Sequence, residues 1–190
     1  MSKPPITYLP NFISDPNKAL IALQTELEWE RRGDAPRSEY YCNDFKEDYI
    51  YGRGAGRRTY SARPYNPTIL EIRRALEAQA NCVFEVCFLN RYLNQKDQLG
   101  WHADDSPEMD DLRPIGVISL GVEREIWFRP KDNSKDLEVT KLKLGNGSLC
   151  LMAAGMQDFY QHRIPKASFL CGERISLTFR GYVKDSKHEL

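Results

Sequence analysis

The stretch Asn90-Arg-Tyr-Leu-Asn-Gln-Lys-Asp-Gln-Leu-Gly-Trp-His-Ala-Asp-Asp105 divides a 190-residue chain into two kinds of pattern. Upstream of it two segments carry helical periodicity. From Val83 onward the sequence breaks into short β runs separated by Gly, Pro, Asp and Asn turns. The stretch opens with Asn90 and Tyr92, two apart on an alternating segment, and closes with His102 and Asp104, again two apart. In extended chain, residues two apart share a face, so each pair is presented together.

Working outward, Ile6 to Phe12 reads as a strand. Asp15 or Ser14 then caps a helix with Pro16 in its first turn, and Leu20, Ile21, Leu23 and Leu27 supply its apolar face. Asn66 is set to cap a second helix over Pro67 to Ala80, with Ile69, Ile72 and Leu76 inward. Val83–Tyr92, Ile115–Leu120, Glu125–Phe128, Leu137–Leu144, Ser148–Met152 and Ile175–Val183 read as strands, and Lys131–Asp136 as a polar hairpin tip. Helices first and many strands afterward predict a mainly β (α+β) fold: an antiparallel barrel or jelly roll with two buttressing N-terminal helices. The length fits a single domain over residues 1–190.

Glu30 to Pro67 reads as irregular. Tyr49-Ile-Tyr51 alternates like a strand, Gly52–Gly56 signals a turn, and Arg53, Arg57, Arg58 and Arg63 are interleaved with Tyr60 and Tyr65. Arginines neutralise phosphates and tyrosines stack on bases, which suits a basic flap over nucleic acid. The plainer alternative is a solvated loop whose arginines pair with Asp44, Glu47 and Asp48.

Lysine plus arginine equals aspartate plus glutamate, so only local clustering bears on a polyanionic partner. Five cysteines without a Cys-x-x-Cys pair point to reduced thiols and a cytoplasmic setting, nuclear if the source is eukaryotic. No membrane-length apolar run or secretory signal is present, and the terminal Lys187-His-Glu-Leu190 is read as chance likeness to a retention tag. A monomer is the default expectation.

His102 and Asp104 need one further ligand to make a metal site. Of the two other histidines, His188 lies in a polar tail, whereas His162 follows the apolar run Ser148–Met152. Two imidazoles and one carboxylate on adjacent strands suit mononuclear Fe(II) with open coordination positions, and zinc competes for the same donors. Arg174, Ser176, Thr178 and Arg180 alternate with Ile175, Leu177 and Phe179. Two arginines on one face of a core strand require anions, either the chain's own Glu173, Asp104 or Glu125 or a bound dicarboxylate.

The ordered set Asn90-x-Tyr92, Trp101-His-Ala-Asp-Asp105, Ile118-Ser-Leu-Gly121, Gly147-Ser-Leu, Gln161-His-Arg-Ile-Pro165 and Arg174-Ile-Ser-Leu-Thr-Phe-Arg180 resembles the AlkB family, from about Pro36 to Val183. These are Fe(II)- and 2-oxoglutarate-dependent dioxygenases that remove alkyl groups from nucleobases. The likeness is greatest to the branch acting on DNA and RNA. It implies a double-stranded β-helix core over about 83–184 and a nucleotide-recognition lid over about 30–66 that contains Tyr49-Ile-Tyr51 and begins near Pro36-Arg37. It further implies that His102, Asp104 and His162 bind iron and are catalytic. Asn90, Tyr92, Arg174, Ser176 and Arg180 would bind 2-oxoglutarate, O₂ would be the second cosubstrate, and alkylated DNA or RNA the partner. Tyr49, Tyr51, Asp105, Arg57 and Arg58 are the expected substrate contacts, and 1-methyladenine and 3-methylcytosine the expected lesions. In two places the chain departs from the family pattern. Ser106 stands where an acid usually follows the metal Asp by two, and Ser176 where Asn is common. The rival readings are a dioxygenase that hydroxylates a protein side chain or small molecule, a silent nucleic-acid-binding module, and a zinc hydrolase.

Overall fold

In the computed structural model, residues 3–51, 57–132 and 138–183 are described. The turn signal at Gly52–Gly56 with Arg53, most of the hairpin tip, and the tail holding His188 lie outside the described residues.

The architecture is two antiparallel sheets facing each other, with helices on one side. Strand β1 (Ile6–Leu9) leads into helix α1 (Pro16–Glu26), where the Asp15 carboxylate accepts from Lys18 N at 3.0 Å and Pro16 occupies the first turn. Ala19, Leu23 and Leu27 are buried, but Ile21 is 58% exposed. The 100° step per residue that turns Leu20 and Leu23 inward carries Ile21 outward. Helix α2 (Pro67–Ala80) occupies its expected span. Asn66 Oδ1 accepts from Thr68 N at 2.8 Å, and Ile69, Ile72 and Leu76 are buried.

Between the helices, β3 (Tyr49–Tyr51) is the strand its alternation predicts, while β2 (Ser38–Asn43) and β4 (Arg58–Tyr60) replace expected irregular chain. Ser38-Glu-Tyr-Tyr-Cys-Asn43 is buried at every position, so it lacks the polar–apolar alternation that betrays a strand with one wet face. After α2 come β5 (Val86–Tyr92), β6 (Leu99–His102), β7 (Ile115–Gly121), β8 (Arg124–Pro130), β9 (Thr140–Leu144) and β10 (Ser148–Met152). A short α3 (Met156–Phe159), β11 (Tyr160–Ile164) and β12 (Arg174–Arg180) complete the chain.

One sheet runs β1-β10-β7-β12-β5-β2, a second β6-β11-β8-β9, and β3-β4 is a separate hairpin. This is the expected jelly roll. The outer face of the six-stranded sheet packs Leu89, Ile118, Ile175 and Leu177 against Leu23, Ile69 and Leu76 of the helices. The facing interior closes at one end with Val117, Ile126, Phe128 and Ile164. The β3–β4 hairpin packs Tyr49 and Tyr60 on Tyr41 and Phe88. No helix of the described residues is long and apolar enough to cross a membrane.

Gly121 ends β7 opposite Arg174 with φ +92°, and a Cβ there would collide with the Glu173 carbonyl oxygen. Gly121→Ala is therefore expected to cost about 1–3 kcal/mol or more, measured by denaturant unfolding. An unchanged midpoint would mean that this close approach is not needed.

Candidate metal centre and anion pocket

Strands β6 and β11 pair with His102 directly opposite His162. β6 ends at His102, and Asp104 follows two residues later in extended chain, pointing the same way. One ligand atom from each of the three lies within 4.8 Å of the others. His102 Nε2 is 3.8 Å from Asp104 Oδ1, and His162 Nε2 is 3.7 Å from Asp104 Oδ2. Among the described residues this is the one His/Cys/Asp/Glu group of that kind.

The surroundings prepare these donors. His102 Nδ1 lies 2.9 Å from Gly100 O; as the N–H it donates there, which leaves the Nε2 lone pair facing the cluster. Burial, reinforced by His102, pushes the His162 imidazole down to about 3, so it stays neutral as a ligand must. Burial disfavours the Asp104 carboxylate, but Arg180 and the two histidines outweigh it and hold the group below its usual range. Asp104 Oδ2 is buried without a hydrogen-bond partner among the described residues. Asp104 N donates to Gln157 Oε1 at 3.0 Å, so buried Gln157 on α3 pins the loop. Two imidazoles, that of His162 held neutral, plus a carboxylate with an unused buried oxygen fit a divalent cation.

Beside the cluster stands the inner face of β12. Arg174 is fully buried, yet among the described residues its hydrogen bond is from Nη2 to Ser119 Oγ at 2.8 Å. Its Nε and Nη1 are unsatisfied, and so is the Tyr92 hydroxyl, whose ring lies 5.2 Å below the guanidinium. No described carboxylate pairs with Arg174. Burial pushes its guanidinium down to about 10, the response of a cation held without its counter-ion. Arg180 does have an acid: its Nη2 donates to Asp104 Oδ1 at 2.6 Å. So the internal-pairing alternative holds for Arg180 and fails for Arg174. Glu173 is taken by Arg91, and Glu125 by the Trp127 indole.

One cavity of about 340 Å³ unites these groups. It is lined by the triad, by Asn90, Tyr92, Arg174, Ser176 and Arg180, and on its far wall by Tyr49, Tyr51 and Arg58. The register explains the gathering: Tyr92 lies opposite Arg174, and Asn90 opposite Ser176, across the β5–β12 pair. Arg57 is exposed outside the cavity, and neither it nor Arg58 has a carboxylate partner among the described residues. Asp105, next to inward-pointing Asp104, points away from the cavity and pairs with Lys131 Nζ at 2.7 Å. The flap acids are engaged elsewhere: Asp44 with Arg73, and Asp48 with the Ala62 amide.

Three contributors were quoted in the sequence without a site role of their own. Arg37 lines the cavity, donates to Asn90 Oδ1 at 2.6 Å and pairs with Glu39. Ser106 shares a hydrogen bond with the Tyr49 hydroxyl, which ties the β3–β4 hairpin to the loop after Asp104. Ser119 accepts the hydrogen bond from Arg174 Nη2. Each is an ordinary polar residue that becomes informative only through its neighbour.

Comparison with known proteins agrees with this geometry. The family model described as the 2OG-Fe(II) oxygenase superfamily matches residues 5–180. The chain is 31% identical over 174 residues to DNA oxidative demethylase ALKBH2 of Bos taurus, covering 89% of this chain and 60% of that protein. To ALKBH2 of Homo sapiens it is 32% identical, covering 85% and 61%. To alpha-ketoglutarate-dependent dioxygenase alkB homolog 3 of Bos taurus it is 31% identical, covering 65% and 45%. It thus spans less than two thirds of the length of each. The solved structure of OsALKBH1 superposes with a TM-score of 0.62 at 16% identity, over 96% of this chain and 99% of that one, a likeness of fold. With the triad, the buried arginine and the matched span taken together, the chain belongs to the 2OG-Fe(II) oxygenase superfamily, and within it is similar to the AlkB homologues.

Proposed function

We propose that this chain is an Fe(II)- and 2-oxoglutarate-dependent dioxygenase that dealkylates N-alkylated nucleobases, such as 1-methyladenine and 3-methylcytosine, in DNA or RNA. The products would be the repaired base, formaldehyde, succinate and CO₂. The observation that carries the reading is the one cavity that joins a His-Asp-His donor set, a fully buried arginine without a carboxylate, and a tyrosine-lined wall. On this reading residues of about 30–66 act as the nucleotide-recognition lid and about 83–184 as the oxygenase core, with β2 serving both by pairing to β5.

His102, Asp104 and His162 would hold the ferrous ion. Bound there with 2-oxoglutarate and O₂, it supplies an oxidant able to hydroxylate an unactivated C–H bond while the keto acid is decarboxylated to succinate. The remaining work belongs to the chain. Arg174 offers two free N–H groups to the far carboxylate of a five-carbon diacid, and the Tyr92 hydroxyl and Asn90 lie on the same wall. Arg180 holds Asp104 in place as a ligand. Tyr49, clamped by Ser106, and Tyr51 line the opposite side, where a flipped base can be held against aromatic rings with its alkyl group toward the metal. Hydroxylation of the alkyl carbon gives an N-hydroxymethyl base, which loses formaldehyde unaided.

The tyrosine wall and the unpaired Arg58 at its edge favour a nucleotide over a protein side chain. Formaldehyde release from methylated oligonucleotides tests this. Neutralising Arg57 and Arg58 together is expected to weaken oligonucleotide binding about tenfold at low salt and to flatten its salt dependence. Fluorescence anisotropy across a salt series checks it. An unaltered affinity and slope would remove the flap from the phosphate contact.

A further inference from the structure

The four-stranded sheet has a second face, turned away from the cavity. Along β8 and β11, Ile126, Phe128, His162 and Ile164 point inward, which sends Trp127, Arg129, Gln161 and Arg163 outward. Cross-strand register sets Arg163 opposite Trp127, and Trp127 opposite Lys141, in one row over β11, β8 and β9.

The cations rest on the indoles. Arg163 lies 5.3 Å from the Trp127 ring and 5.5 Å from Trp101, Lys141 is 4.4 Å above Trp127, and Arg129 is 4.4 Å above Trp101. Of the nine cation–ring contacts among the described residues, four lie on this one small sheet face. A guanidinium resting on an indole is pre-organised for a phosphate. Arg129 is fixed further by Nε and Nη2 donating to Gln161 Oε1 at 3.1 and 2.8 Å, and Arg163 Nε is buried, so the outer guanidinium nitrogens and Lys141 are what a phosphate would meet. Arg129, Arg163 and Lys141 have no carboxylate partner among the described residues, and Glu125 is turned to the Trp127 indole at 2.7 Å. The whole chain carries a formal net charge of zero, so this excess is local. The face is also continuous with the cavity, because Trp101 belongs to both.

We propose that this cation–indole ladder is a second nucleic-acid contact, a track for the phosphodiester backbone flanking the target nucleotide as it leaves the cavity. The tryptophans act as supports, since cations already cover their rings, and the arginines and Lys141 meet the phosphates. Binding is then insensitive to sequence and steep in salt. Placing the target nucleotide in the cavity rests on the proposed dealkylase reading; the backbone contact does not.

The test uses the iron-loaded chain with 2-oxoglutarate, comparing wild type with Lys141→Glu and with the double variant Lys141→Glu/Arg163→Gln. Anisotropy with an unmodified oligonucleotide over a salt series reads the track alone. Formaldehyde release reads the cavity, using a methylated fragment ending at the lesion and the same lesion in a long strand. We expect the double variant to lose about tenfold in long-strand affinity and roughly 0.7–0.9 of log–log salt slope per phosphate contact removed. KM for the long substrate should rise, with kcat and short-fragment turnover unchanged.

Unaltered affinity and slope in both variants would overturn the proposal. An equal loss on the short fragment would make the ladder merely structural. Polyglutamate bound more tightly than the oligonucleotide, with the same dependence on Lys141, would assign the face to an acidic protein instead. If wild type releases no formaldehyde from any substrate, the dealkylase reading fails, while the anisotropy result still decides the track.

Discussion

His102→Ala is expected to abolish ferrous-iron binding and 2-oxoglutarate turnover, with product formation down by at least about a thousandfold, while the protein stays folded. The ring is partly exposed, and among the described residues its hydrogen bond is to Gly100 O, so its loss should cost about 1 kcal/mol or less of stability. Asp104→Ala should be equally inactive for a mixed reason. It removes a ligand and also strands the buried Arg180, whose Nη2 donates to that carboxylate. Breaking a buried pair from one side costs about 3–5 kcal/mol, so the Asp104 variant should melt well below the His102 variant. Iron titration with thermal unfolding on both separates the two effects. Full activity in His102→Ala would refute the ligand set. Equal melting temperatures would mean that Arg180 finds another anion.

Substituting Arg174 should split stability from function in the opposite sense. Its guanidinium is fully buried with two nitrogens unsatisfied, so the chain without cosubstrate carries an uncompensated cation. Arg174→Met removes that cost and is expected to be as stable as the parent or more so, yet to lose 2-oxoglutarate binding. Arg174→Lys keeps a charge but loses the fork. Charge-assisted hydrogen bonds contribute about 1.5–3 kcal/mol, so KM for 2-oxoglutarate should rise about ten- to hundredfold. Initial rates against 2-oxoglutarate, with unfolding curves for each variant, check both statements. A destabilised Arg174→Met would point to a structural role for the guanidinium, and an unchanged KM in Arg174→Lys would remove the residue from the pocket.

How far the chain could be read in advance depended on which faces of each segment are wet. Helix α2 announces itself because Asn66, Pro67 and the Ile69/Ile72/Leu76 stripe all act locally. Strand β12 does so because Arg174, Ser176, Thr178 and Arg180 alternate with Ile175, Leu177 and Phe179 against the helix layer. Strand β2 gives no such signal, being buried on both faces, with Glu39 and Tyr41 paired to Arg37 and Asn43 two residues away and Tyr40 donating to the remote Pro64 carbonyl. The donor triad was readable because two of its members lie two residues apart and few histidines compete. Arg37 and Ser106 were not readable as site residues, since their roles exist only once Asn90 and Tyr49 are folded beside them. Asp105 illustrates the limit of adjacency: one residue from a buried ligand, it points outward to Lys131.

The most direct measurement is an anaerobic titration of the apoprotein, first with ferrous iron and then with 2-oxoglutarate, followed by visible absorbance. A keto acid chelating a ferrous ion on this donor set should produce a charge-transfer band that saturates at one equivalent of each, absent in His102→Ala and shifted to far higher 2-oxoglutarate in Arg174→Lys. Iron binding without any band at saturating 2-oxoglutarate, or an identical band in the His102 variant, would contradict the assignment of this cavity.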